Sequence, residues 1–182
     1  MVQVVTQRTQ KPGAPMPQPL TAPNWFLGLV PRQYWDRYKT PFTYELDFAT
    51  TPLANGGAVA ANGTSSGNVQ IQQDSHFLWV YGIALVTSTD NLTVINSASN
   101  ANASAKLISL QDVGAGQPLA NVQVPLDNWF GTAQLPMVVP YPRLFERGGA
   151  IGVTVTNLNT LTAHTVRLSF VGIRIFPDKP AE

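Results

Sequence analysis

The chain has 182 residues, room for one domain with a real core. Charged residues make up only 12%, against a usual share of about 25%, so Asn, Gln, Ser and Thr fill the polar quota; the net charge of +1 gives no overall basic field for nucleic acid. Cysteine is absent, which excludes disulfides, thiol nucleophiles and thiolate metal sites together.

The start, MVQVVTQRTQ, has no continuous apolar core of the signal-peptide kind, and none is expected to act as one. No run approaches the roughly 18 apolar residues of a membrane span, so no membrane partner is expected. The triplets at Asn62, Asn91 and Asn102 match the glycosylation pattern, and are read as chance matches in a chain rich in Asn and Thr.

Residues 1–40 read as an extended arm. Five prolines fall within residues 11–23. Proline lacks the N–H that a helix or a central strand needs, so this stretch favours polyproline II. An aromatic group follows: Trp25, Phe26, Tyr34, Trp35 and Tyr38. Pro31 is placed to open a short helix and Pro41 to stop it, which would set Tyr34, Trp35 and Tyr38 near one face. These five rings are the expected contact anchors, either on this chain's own body or on a neighbour. The arm is also basic: Arg8, Lys11, Arg32, Arg37 and Lys39 stand against Asp36 alone, while the rest of the chain holds six basic and nine acidic residues. Opposite signs let an arm attract a body, its own or another copy's.

From Pro41 the period becomes two. Phe42, Tyr44, Leu46 and Phe48 share one face of a half-buried strand. Residues 49–68 hold NGG, ANG and SSG and read as a long loop; Val69 and Ile71 then alternate with glutamines. Residues 77–86 are nearly all apolar, as in a central strand covered on both faces. A short strand is expected at 91–95, a low-complexity loop at 97–104, and strands at 106–111 and 121–126. Residues 129–142 form a proline-punctuated connection with edge-strand potential at 137–139. Residues 150–156 alternate cleanly, and 164–176 make the last and longest strand. That strand changes phase. Val166, Leu168 and Phe170 share one face; Val171, Ile173 and Ile175 share the other. One regular strand cannot bury both sets on one side, which predicts a β-bulge or sharp bend near 170–172, or else a strand buried on both faces. About eight strands and no long helical pattern give an all-β fold, an antiparallel β-sandwich or jelly roll with a proline-rich N-terminal arm. The arm is 1–40, the body 41–177 and the tail 178–182.

Chemistry is sparse. His76 and His164 show no metal-ligand spacing with each other or with Asp74, and no nucleophile elbow or phosphate loop occurs. Glu45 and Asp47 read as the wet side of a strand. The glycines of GQPLAN and GGAIG read as turn residues of positive φ. Trp79 and Trp129 read as core, although Trp129 and Tyr141 are the platform candidates should the body bind a glycan. No catalytic residue, metal or cofactor is assigned, and no enzyme activity is expected.

The second half carries a set of linked motifs: WFG at 129–131, LPMVVPYPRLF at 135–145, ERGG at 146–149, AIGVTVTNL at 150–158 and VRLSFVGIRIF at 166–176. Together with FLWVYGIALV at 77–86 they resemble the β-rich accessory virion proteins of tailed bacteriophages. The resemblance implies a jelly-roll-like cement, decoration or minor capsid protein, or a head–tail or collar component. It implies copies of itself and the major capsid protein as partners, manufacture in the host cytoplasm and residence in the virion. An arm would then hold neighbours together.

Overall fold

A computed structural model describes residues 30–48, 58–88, 94–95 and 106–180. Its strands are β1 (Arg37–Phe48), β2 (Thr64–Gln70), β3 (His76–Ser88), β4 (Val94–Ile95), β5 (Lys106–Asp112), β6 (Gln117–Pro118), β7 (Val124–Pro125), β8 (Met137–Phe145), β9 (Ala150–Asn157) and β10 (His164–Pro180). Single 3-10 turns lie at Arg32–Tyr34 and Leu126–Asn128, and the described residues hold no α-helix.

The strands form two five-stranded sheets. In the first, β1, β10 and β3 lie side by side, with β8 and β4 sharing the far edge of β3; in the second, β2, β9 and β5 do so, with β6 and β7 sharing the far edge of β5. Every pairing between these strands is antiparallel among the described residues, and the pairs nest: β1 with β10, β2 with β9, β3 with β8, β5 with β6 and β7. A chain doubled into one long hairpin and then rolled gives this nesting, which is the jelly-roll arrangement. The rolled sheets face each other across one apolar core, where Leu46, Phe48, Phe77, Trp79, Ile108, Leu110, Ile151, Val155, Leu168 and Phe170 are buried. Trp79 packs on Phe170 at 5.2 Å between ring centroids, and Phe130 meets Phe170 edge-on at 5.2 Å.

The phase change in β10 has a two-part cause. β10 pairs with β1 in unbroken register through Ser169–Ile173, so the strand itself stays regular. Its register with β3 shifts between Val171 and Gly172, which pair with Tyr81 and Trp79. Val80 is therefore the extra residue, and the bulge sits on β3 rather than β10. β10 meanwhile buries both faces. Val166, Leu168 and Phe170 face the sandwich interior, whereas Ile173 and Ile175 face outward into a second cluster with Val30, Leu78 and Val80. A bulge needs backbone room: a Cβ on Gly172 would stand 1.9 Å from the Leu78 carbonyl oxygen.

Several boundaries move from their sequence positions. β1 starts at Arg37, inside the span assigned to the arm, and β10 runs to Pro180, where Arg37 pairs with it, so residues 178–180 belong to the body. The helix expected after Pro31 is one 3-10 turn, and Pro41 sits within β1 on an edge where no ladder donor is needed. β2 begins at Thr64, within the presumed loop, and β8 extends through both prolines of PYP to Phe145. Residues 49–57 and 97–104 lie outside the described residues.

Two measurements test this account of the strands. Gly172→Ala should lower stability by about 3 kcal/mol or more in chemical denaturation, because the clash is with backbone rather than a flexible side chain. Leu78→Ala should cost about 2–5 kcal/mol, the value for a core leucine, although Leu78 lies on the outer face of its sheet. A loss under about 0.5 kcal/mol would mean that this face is solvated.

Candidate interaction surface

The second apolar cluster exists because the N-terminal chain crosses the outer face of the first sheet. From Arg37, paired beside Pro180, the chain runs back as a strap. Tyr34 stacks on His76 at 5.1 Å and its hydroxyl stands 3.4 Å from Nε2. Val30 is then buried at 3% exposure with Leu78, Val80, Ile173 and Ile175. The Trp35 indole N–H donates to the Val30 carbonyl at 2.9 Å, and Lys39 Nζ donates to the carbonyls of Trp35 and Arg37. These side chains thus satisfy the Val30, Trp35 and Arg37 carbonyls, and the Tyr34 and Trp35 N–H groups donate to the Pro31 and Arg32 carbonyls.

The expected anchors divide accordingly. Tyr34 and Tyr38 fold back on this chain's own body; Tyr38 lies 5.5 Å from Phe176 and under Lys179 Nζ at 4.4 Å. Trp35 turns outward, 47% exposed, with the Arg32 guanidinium 5.7 Å from its ring. These three rings are not one helical face, because the chain is extended from Arg37 onward. Arg37 starts β1, and Lys39 is spent on strap carbonyls, its pKa lowered by burial with a smaller opposing pull from Asp36. Trp25, Phe26, Arg8 and Lys11 lie outside the described residues.

At the same end of the sandwich a charged belt closes the strap. Arg174 bridges Asp74 at 2.7 Å and Ser75 at 2.9 Å, with its guanidinium 4.8 Å from both Phe42 and Phe176. Arg147 reaches Asp178 at 2.5 Å. His76 sits between them. Its Nδ1 accepts the Arg147 backbone N–H at 3.3 Å, which requires the neutral ring. Burial holds its pKa below the ordinary range; Glu146 and Asp178 pull it up and Arg147 pushes it down.

The groups weighed for chemistry do not converge. His76 and His164 stand at opposite ends of the β3–β10 ladder, opposite Ile175 and Ser88, which separates them by about 40 Å at strand rise. Among the described residues no three His, Asp or Glu side chains gather as a metal site would need. Asp47 pairs with Arg167 at 2.7 Å on the outer face of β1. Lys106 is buried, and burial lowers its pKa to about 8. Gly116 and Gly148 take positive φ, as their turns demand. A shallow hollow beside Phe130, Leu135 and Met137 holds one carboxylate, Asp127, whose pKa burial raises. Trp129 packs 5.7 Å from Trp79, its indole N–H buried, so it forms no exposed platform; Tyr141, 89% exposed, stands alone between two prolines.

No family model matches this chain, and no curated protein matches it. Among solved structures, an exo-beta-1,3-galactanase from Phanerochaete chrysosporium, crystallised with galactose, aligns at a TM-score of 0.27 and 12% identity. That alignment covers 79% of this chain and 28% of the galactanase, so this chain spans under a third of that protein's length.

Sequence reading missed Val30 and His76 as strap contacts. The one available signal was the second apolar phase of the last strand, which requires a cover on the outer face.

A pH titration checks the His76 arrangement. The folded protein prefers the neutral ring, so the unfolded chain binds more protons as acid is added. Stability from this group should be constant above about pH 6.5 and fall as pH drops below it. In His76→Gln that acid-side loss should shrink, read as thermal midpoint against pH from 5 to 8, with parallel curves overturning the assignment.

Proposed function

We propose that this protein is a structural virion component, a cement or minor capsid protein that self-associates and binds the major capsid protein. It acts through surfaces and not through turnover. The observation that carries the reading is the nested jelly roll with an N-terminal strap. Two-sheet jelly rolls are a recurrent capsid architecture, although fold alone does not assign function. The strap brings the chain across one face of the body, with a further 29 residues before Val30 that hold five prolines, Trp25, Phe26, two cations and no acid. The low share of charged residues also suits a protein held in an assembly. The linked motifs of residues 75–176 that resemble phage accessory proteins fall on β3, β8, β9 and β10 and their connections, which lends the same reading further support.

The test is co-sedimentation with capsids lacking this protein, for the full chain and for a variant without residues 1–29. That boundary spares Val30, Tyr34 and all of β1, whereas a cut at residue 40 would remove Val30, Tyr34 and the first four residues of β1. The variant should keep its β-type circular dichroism and lose at least about tenfold in capsid occupancy, the loss of the two anchors Trp25 and Phe26. Equal occupancy would remove the arm from the contact. Failure of the full chain to bind any capsid, with hits on a glycan array, would replace the reading with a carbohydrate-binding one.

A further inference from the structure

The edges of the two sheets are guarded unequally. Unpaired strand edges attract other strands, and proteins blunt them with charge, proline or shortness. β1 carries Lys39, Pro41, Glu45 and Asp47. β8 carries Pro140 and Pro142, and β4 has two residues. β6 and β7 have two residues each and end in Pro118 and Pro125. β2, TSSGNVQ, is different: seven residues with no charge and no proline.

Among the described residues β2 is also paired on one side only. Its seven residues pair with β9 from Thr64–Thr156 to Gln70–Ala150. Just beyond its ends, Asn157 N–H donates to the Gly63 carbonyl at 2.8 Å and Ile71 N–H to the Gly149 carbonyl at 2.9 Å. In an antiparallel ladder the bonded pairs alternate, so odd-numbered residues of β2 face β9. Thr64, Ser66, Asn68 and Gln70 therefore turn their N–H and C=O groups to the open edge. Their side chains lie on the outer sheet face, where Thr64 meets Thr156 at 3.0 Å and Ser66 meets Thr154 at 2.9 Å. Across β2, β9 and the outward residues of β5 (Leu107, Ser109 and Gln111) this face carries no charge.

We propose that β2 is the self-association edge: two copies join β2 to β2 antiparallel about a two-fold axis near Gly67. This rests on the reading that the protein self-associates, and names the surface. An isologous contact sets each residue against its own surroundings, so a charged edge would repel itself and a neutral one does not. The register follows from the parity. Centred on Gly67, Ser66 faces the other copy's Asn68 and Thr64 faces its Gln70, all four with outward backbone groups. The second sheets of the two copies would then run as one.

Light scattering over a roughly hundredfold concentration range tests this, with full-length protein, Ser66→Lys and Asn68→Pro. The proline removes an outward N–H and leaves the β9 ladder whole; circular dichroism verifies that both variants fold. The expected result is a dimer or a multiple of one for the native protein, half that mass for both variants, and amide exchange at Ser66 and Asn68 that slows with concentration. Unchanged mass in both folded variants overturns the β2 edge, and leaves self-association standing. A native monomer that still binds capsids overturns the second copy as occupant and gives the edge to a capsid strand. A native monomer that binds no capsid overturns both readings.

Discussion

The structure depends on one long ladder that is apolar on both faces. β3 and β10 pair from His76–Ile175 to Ser88–His164. Along half their length they feed the sandwich core, and along the other half they also present Leu78, Val80, Ile173 and Ile175 outward. Burying one such side chain stabilises by about 1.5–3 kcal/mol, so leaving four in water is not tolerated. The second sheet covers one face. The strap from Val30 to Tyr34 covers the other, and its route fixes where the N-terminal chain enters the body.

The bulge at Val80 makes this double duty possible. It adds one residue to β3 without adding one to β10, so Trp79 and Gly82 both face the interior while Val80 and Tyr81 both face out. Gly172 gives the bulged backbone room to approach. The polar belt of Arg174, Asp74, Ser75 and His76 then closes the strap's end. Its donors and acceptors are matched, which half-buried charges require.

The surface follows a different logic. With few charges available, they are concentrated at strand edges and at the strap, on β1, the end of β10 and the β8–β9 turn. The outer face of β2, β9 and β5 receives hydroxyls and amides instead. Thr and Ser pairs across β2 and β9 satisfy one another, so the face is polar without being charged. A charge-poor composition thus becomes a spatial pattern of guarded and unguarded edges.

The sequence by itself determined the fold class, most of the strands and most of the core. Period-two runs such as Phe42–Phe48 and Ile151–Val155 need only a local rule, because alternate side chains of a strand face opposite ways. It also determined that the last strand had two apolar phases. Pairing decided what that meant, since a bulge on β3 and a cover on β10 leave the same trace in β10 alone. Tyr34 and Tyr38 read equally well as anchors on a neighbour or on the body; the tertiary path of the strap placed both on the body and left Trp35 outward. β2 was legible only from its end, because Thr64–Gly67 has little apolar signal and becomes a strand through its ladder to β9. Whether an edge is open is a property of strand neighbours distant in sequence, and only the rolled topology supplies them.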